Sequence, residues 1–572
     1  AVFVNVGATL GEGFRALPAL KAYSINLVGS IAGALLLALV SLFNSPPPVW
    51  ILIAGLITRQ LVKSKLLPIL TSIFVAAACM TTLSSHWSPY SKLDIIPVQE
   101  AQNSALGKGN YVLNSNNHYF HFAVHMIPDE KMETFRAEAK SPQSEILKHY
   151  FDFLHVPFLC AKTHKKVLIL GGGSGNDVSY ALKHGAQHVD VVEIDPVISS
   201  LGKTLHPDRP YLDPRVSLHT EDARTFLRYS KEKFDLIEFA YLDPGSTLST
   251  ASFLRVDNFV YTVESIKSAL AHLDNGGLLS ISFATGAKHP VTRRLYQNIR
   301  EAQGKAPRAY VDDEWESVLL LAGPAADKIQ LAPENINKLR PWPNEGERSS
   351  STLSTDDWPF LYLEYDKSGM ILHFAILLLA VILPALFLAR AQKEDIGDGA
   401  CWNMLFLGQA FMLIETKSIT QLSLFFGATW LVSSAVIFSV LLLAYFANFC
   451  AGKMKSNKIQ PFYICLAAAL SLDYFFKVPA SADFHPYMLA SIATLIACLP
   501  IFFGGLIFSL CFRQAKDPAR LLSANLLGVA LGGLTENLCL LTGIKGLVLV
   551  AMVIYGLSYL VLDNKLKTTE IA

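Results

Sequence analysis

Cysteine is scarce wherever it could do chemistry. The 572 residues hold 8 cysteines, and Cys79, Cys401, Cys450, Cys465, Cys498, Cys511 and Cys539 lie in or beside apolar runs, where the thiol acts as a small hydrophobe. Only Cys160 falls in the polar middle of the chain, so neither a disulfide framework nor a zinc spacing can be drawn. His118, His121 and His125 sit close together, but spacings of three and four recur by chance in strands and loops, and no metal is expected. Charge of one sign is missing too. A net charge of +1 gives no electrostatic footprint for nucleic acid. Charged residues make up 17% and hydrophobic ones 52%, which is too apolar for a soluble enzyme. The chain starts at Ala1 without methionine or a signal-peptide pattern, so it is expected to begin inside a longer or processed sequence, with further spans before it.

Long apolar runs supply the first positive signal. Spans are expected at 24–43, 47–63, 66–83, 369–389, 402–422, 424–449, 461–477, 486–511, 521–541 and 544–562. The second is the least sharply defined, because Arg59 cuts its run short. Between the two groups lies one charged block.

That block contains Val167-Leu-Ile-Leu-Gly-Gly-Gly-Ser-Gly-Asn-Asp177 and then Val191-Val-Glu-Ile-Asp-Pro196. Val167 to Leu170 read as a buried parallel strand, followed by a turn in which glycine lets the backbone approach a ligand. A helix with Asp177 and Val178 in its first turn leads to a second strand closed by Glu193, roughly 20 residues beyond the glycines, where such folds place a carboxylate on ribose hydroxyls. Asn176 stands where a dinucleotide fingerprint needs glycine, which moves nicotinamide cofactors to second place. Further along, Glu221-Asp222-Ala223 ends a third strand where an adenine amino group would be bound. Phe234-Asp-Leu-Ile-Glu-Phe-Ala-Tyr-Leu-Asp-Pro244 forms a fourth strand that brings Asp243 to the carboxyl edge.

The order and spacing over roughly residues 87–285 resemble the spermidine synthase family, within the class I methyltransferase-like fold. Trp87-Ser-Pro-Tyr90, short strands around Tyr111 to Val124, Glu145 and the run Tyr150-Phe-Asp-Phe-Leu-His155 are similar to that family's β-rich lead-in and to the helix before its first Rossmann strand. Ala22-Tyr-Ser-Ile-Asn-Leu-Val-Gly-Ser30 and Phe411-Met-Leu-Ile-Glu-Thr-Lys417 resemble its membrane-embedded branch. The expected fold is a multi-span α-helical membrane protein with an inserted α/β Rossmann-like domain. Its expected parts are membrane helices over 1–84, a β-rich lead-in over 85–160, an adenosyl-ligand domain over 161–324, an irregular return over 325–368, membrane helices over 369–563 and a tail over 564–572.

The resemblance implies S-adenosylmethionine or a related adenosyl ligand, held by Gly171, Gly172, Gly173, Ser174, Gly175, Asp177, Glu193, Asp195, Asp222 and Ala223. It also exposes two departures. Soluble aminopropyltransferases carry, at the position of Ser174, an aspartate that holds the cationic amine of the donor. They carry another at the position of Ala240, as general base on the acceptor. With both absent, polyamine synthesis is not expected. Asp243 is the leading candidate for a base, with Glu238 and Tyr241 behind it. The competing readings are a turn residue before Pro244 for Asp243 and a solvent-facing strand residue for Glu238.

Two features of the membrane part remain. Ser24-Ile-Asn-Leu-Val-Gly29 with Gly33 matches Ser523-Ala-Asn-Leu-Leu-Gly528 with Gly532, which reads either as the parallel halves of a transporter or as two packing helices matched by chance. Glu415, Lys417 and Glu536 interrupt apolar stretches and mark either a polar cavity or helix ends at the interface. Arg59, Lys63 and Lys65, with Arg390 and Lys393, lie at the far ends of the spans bordering the soluble block. The positive-inside rule therefore puts that block outside the cytoplasm of what is expected to be a bacterial inner membrane. Three function classes stay open. They are a membrane-bound transferase with a lipid, peptide or other membrane-associated acceptor, a transporter or ligand sensor with a non-catalytic Rossmann domain, and a structural subunit.

Overall fold

Strands and helices follow the sequence periodicities closely. The computed structural model describes residues 2–61, 66–82, 84–98, 108–128, 142–242, 256–328, 339–342, 352–363, 398–455, 458–476 and 486–562, with scattered helical residues between 131 and 137 and between 369 and 383. The chain divides into two units, Ala1–Ala38 with Glu364–Ala572, and Leu39–Leu363.

In the second unit, β1 (His86–Trp87), β2 (Lys92–Pro97), β3 (Tyr111–Ser115) and β4 (His118–Ala123) form an antiparallel sheet in that order. The larger sheet takes β5 (Lys166–Leu170), β6 (His188–Val192), β7 (Val216–His219), β8 (Phe234–Ala240), β9 (Leu273–Phe283), β10 (Arg308–Asp312), β11 (Ser317–Ala322) and β12 (Arg340–Pro341). Their spatial order is β12-β10-β11-β9-β8-β5-β6-β7. From β7 to β9 the neighbours are parallel, and β11 runs antiparallel to both β9 and β10. Alternate residues of β5 feed opposite cores. Val167 and Ile169 join the helix Pro142–Cys160 on one face, whereas Leu168 and Leu170 join the helices Val263–Ala271 and Pro290–Gln303 on the other. Both faces are covered, so an unbroken apolar run is stable there, each side chain contributing about 1.5–3 kcal/mol. The strand order reverses between β5 and β8, and such a switch point opens a crevice at the carboxyl ends of the strands.

The return segment is irregular but firmly held at residues 352–363. Buried Arg294 donates to the carbonyls of Thr352 (2.8 Å), Phe360 (2.9 Å), Leu361 and Leu363 (2.6 Å), and its guanidinium lies over the Trp358 ring. Asp356 pairs with Arg224 at 2.9 Å and accepts from Thr262 at 2.8 Å.

Helices occupy every expected span interval except 369–389, where only scattered residues are described. An additional helix, Val2–Ala16, precedes them. Among the described residues four segments are long and apolar enough to cross a membrane: Ala19–Leu42, Trp430–Lys453, Tyr487–Arg513 and Pro518–Thr542. Pro47–Leu61 and Gly546–Leu560, at 15 residues each, rise only about 22 Å, short of a hydrocarbon core of about 30 Å. The two copies of the Ser-x-Asn-Leu-x-Gly repeat have different surroundings. A Cβ at Gly528 would lie 1.9 Å from the Leu405 carbonyl oxygen, whereas one at Gly29 or Gly33 would meet nothing within 4 Å among the described residues.

Candidate functional site

The glycine loop leaves the carboxyl end of β5 and turns into the helix Asn176–Lys183. Gly175 adopts φ 110°, a left-handed conformation that side chains disfavour. At Gly172 a Cβ would fall 2.2 Å from Val191 Cγ2 and 2.8 Å from the Tyr211 hydroxyl, so the loop lies directly against β6. Tyr211 also donates to the Gly173 carbonyl at 2.8 Å.

Glu193 joins this loop to β6. Its carboxylate accepts from the Gly173 N–H at 2.7 Å and from the Asp195 N–H at 2.9 Å, with only 7% of the residue exposed. Burial pushes this carboxyl up to about 7. Asp195 is buried and caps the helix Pro196–Leu205, accepting from Val197 (2.8 Å) and Ile198 (3.3 Å). Asp222 likewise caps the helix that Ala223 opens, accepting from the Thr225 N–H at 2.9 Å. Both aspartates thus hold helix N-termini at the carboxyl edge of the sheet.

The lead-in sheet closes over the loop through two residues that sequence reasoning left unassigned. Asn176 accepts from the Val124 N–H at 3.1 Å and donates to the Phe122 carbonyl at 2.7 Å, so its amide acts as a strand partner to the end of β4. This accounts for an amide where glycine was the alternative. His121 Nε2 lies 2.6 Å from the Ser174 hydroxyl, and loss of hydration lowers its imidazole to about 3. His125 pairs instead with Asp208, which also accepts from Lys183 at 2.8 Å and from the Met126 N–H at 2.9 Å. The histidine spacing was visible in sequence; the three-dimensional partner of each ring was not.

Across the crevice stands a second group. Glu238 lies in β8 beside Ile169 of β5 and Ser280 of β9, only 5% exposed, and its Oε2 has no hydrogen-bond partner among the described residues. The competing reading of Glu238 as a solvent-facing strand residue does not hold: the parallel sheet is covered on both faces, so position 238 points into the core. Burial, and then the nearby charge of Asp177, raise its carboxyl well above the usual range. Asp177 accepts from the Tyr150 hydroxyl at 3.2 Å and is itself pushed up to about 6 by loss of hydration. Tyr241, the residue after β8, has φ 45°, a strained conformation for a non-glycine residue, and its ring packs with Tyr150, Phe153 and Trp315 at centroid distances of 6.2–6.5 Å. Tyr150 and Trp315, which close this aromatic wall, were not singled out as site residues by sequence. Ala240 follows Phe239 on the same strand, and Asp243 lies outside the described residues.

The spermine/spermidine synthase domain matches residues 150–311. Polyamine aminopropyltransferase 1 of Streptomyces coelicolor is 30% identical over 188 residues, covering 31% of this chain and 34% of that protein. The polyamine aminopropyltransferase of Korarchaeum cryptofilum is 29% identical over 172 residues, covering 28% and 50%. That of Pectobacterium carotovorum is 36% identical over 106 residues, covering 17% and 37%. The chain thus spans between a third and a half of the length of these relatives. The crystal structure of spermidine synthase from Thermotoga maritima aligns with a TM-score of 0.31 at 16% identity, over 50% of this chain and 84% of that one. Residues 150–311 thus match the spermine/spermidine synthase domain, with apolar helices on either side of them in the sequence.

Proposed function

We propose that this domain is a transferase site for an adenosyl sulfonium donor, S-adenosylmethionine or a close relative, and that it does not make spermidine. The observation that carries the reading is the junction of Gly173 with buried Glu193, at the switch point of the sheet. The residues there fit such a ligand. Glu193 follows β6 beside the glycine loop, where dinucleotide and adenosyl folds place a carboxylate on ribose hydroxyls. The donor would supply an electrophilic carbon next to sulfur, for which in-line positioning of a nucleophile is the main requirement.

The chain's own residues divide the remaining work. Ser174 and His121 present neutral polar atoms where a cationic aminopropyl tail would need a carboxylate. On the far side Tyr150, Tyr241 and Trp315 exclude water around Asp177 and Glu238. Asp177, poised near neutral pH, accepts the proton of an acceptor nucleophile, while Glu238, held neutral by burial, donates a hydrogen bond. Asp243 remains a candidate base on sequence grounds. The acceptor is a lipid, peptide or other membrane-associated molecule, since apolar helices flank the domain in sequence.

Calorimetry with purified full chain tests the reading directly. Heat of binding is expected for S-adenosylmethionine, for its decarboxylated form or for their thioether products. Silence with all of them, together with no mutual competition, would remove it.

A further inference from the structure

The membrane unit handles its buried polar groups in two distinct ways. Where helices only need to be joined, it uses neutral side chains. Asn403 donates to the Ser558 carbonyl (2.9 Å) and to Tyr463 (3.2 Å), whose hydroxyl meets that of Ser558 at 2.8 Å; Asn525 donates to the Met404 carbonyl at 3.0 Å. Such bonds satisfy helix contacts at modest cost. Charges in the same interior cost several kcal/mol (~2.5–3.5 on insertion scales), so their presence calls for another explanation.

Among the described residues three charged side chains are buried there. Lys417, in the helix Gly399–Phe426, is 3% exposed and pairs with Asp473 of the helix Gln460–Phe475, itself 2% exposed, while donating to Gln421 at 2.6 Å. The third is Glu536, 7% exposed, which lies where the helix Pro518–Thr535 tightens into the 3₁₀ turn Glu536–Leu538 before the short helix Cys539–Thr542. Its Oε2 accepts from Thr416 at 3.3 Å and its Oε1 has no hydrogen-bond partner among the described residues. Beside it Gln409 donates to Thr535 at 2.9 Å. Helix 518–535 lies parallel to helix 399–426 and very close to it: Gly528 faces Leu405, Gly532 faces Gln409, and Glu536 faces Thr416. Interrupted helices with an unsatisfied polar group at the break are where membrane proteins hold ions.

The other titratable groups leave Glu536 without a counter-charge. On helix 399–426 they are Cys401, Glu415 and Lys417, the last committed to Asp473 and Gln421. Helix 546–560 brings Tyr555 and Tyr559, with Lys545 just before its start, and the short helix brings Cys539. Among the described residues Glu536 forms no ion pair. A carboxylate buried in this way is tolerable as the neutral acid, which needs no partner cation.

We propose that Glu536 is a proton-binding site of the membrane unit, set apart from the fixed Lys417–Asp473 pair. This is independent of the transferase reading.

A carbodiimide test uses the full chain in nanodiscs. Dicyclohexylcarbodiimide adds the O–H of a protonated carboxyl across a C=N bond, the oxygen going to carbon and the proton to nitrogen, and the adduct rearranges to a stable N-acylurea. Peptide mass spectrometry should find that adduct at Glu536 and not at Asp473. Its yield should fall about tenfold per pH unit once the pH passes the pKa of the group. Glu536→Gln should abolish it, and Lys417→Met should bring Asp473 into reaction. No adduct at Glu536 between about pH 5 and 9 would overturn the proposal, and so would a pH-independent yield. Protection by sodium at constant pH and ionic strength would also overturn it, by making the ligand a metal cation. The wild-type measurement decides the matter even where a variant fails to fold.

Discussion

At the scale of single residues, Ser174 and Ala240 are the positions where the resemblance to soluble aminopropyltransferases implies aspartates, while Asp177 accepts from Tyr150 of the aromatic wall and Glu238 is buried in β8. Restoring aspartate at both 174 and 240 should raise affinity for putrescine or spermidine more than it weakens adenosyl binding, since it adds anionic contacts for a cation. Efficient spermidine formation from putrescine by the unaltered chain would sink this interpretation. Glu193→Ala should weaken adenosyl binding by a hydrogen-bond-sized amount, about 1–3 kcal/mol in calorimetry. Glu193 also predicts a pH dependence. Its carboxyl is raised from 4.5 to about 7 in the folded chain, so the folded state binds more protons and loses stability as pH rises across that window. The melting midpoint in detergent should therefore fall between about pH 4.5 and 7, and Glu193→Gln should flatten that part of the profile. An unchanged slope in the variant would assign the effect to other groups.

At the scale of elements the decisive contact is between a loop and a strand from different sheets. Asn176 satisfies one N–H and one carbonyl at the end of β4, and its own Oδ1 also receives His206 Nε2 at 3.0 Å. Removing it leaves buried backbone groups unpaired, at about 1–3 kcal/mol each. Asn176→Ala should accordingly speed hydrogen exchange at the Val124 amide by at least an order of magnitude, which corresponds to about 1.4 kcal/mol of local stability. Exchange there should change far more than in the centre of β5. Equal acceleration at both would show a global loss of stability rather than an undocked lead-in sheet.

For the whole molecule the open issue is which side of the membrane the domain faces. Arg59 ends the helix Pro47–Leu61; Lys63, Lys65, Arg390 and Lys393 lie outside the described residues, so the charge pattern still speaks from sequence alone. We expect Lys231→Cys, at an exposed position of the domain, to react with an impermeant thiol reagent added to intact cells. Reaction only after lysis would place the domain with the cytoplasmic supply of adenosyl sulfonium and strengthen the transferase proposal. Reaction in intact cells would favour delivery of a ligand through the membrane part, or a domain that binds without turnover.

The apolar run Val167 to Leu170, the glycines after it, and the alternation of apolar segments with turns determined the parallel sheet, its loop and the apolar helices. These features depend on periodicity and on backbone conformations that only certain residues tolerate, and both are local properties. Glu193 was legible for the same reason, since its distance from the glycines is set by the length of one helix and one strand. The neighbours of His121, Asn176 and Glu238 were decided only in the folded structure. His121 meets Ser174 across 53 residues, and Glu238 is buried because strands on both sides and helices on both faces enclose it. In the membrane unit Lys417 and Glu536 looked alike in sequence, as charges in apolar runs. Tertiary packing separates them by giving Lys417 a counter-charge from a helix 56 residues away and giving Glu536 a hydroxyl and a break in its own helix. Hydration cost depends on which groups arrive from distant parts of the chain, and spacing along one segment does not encode that.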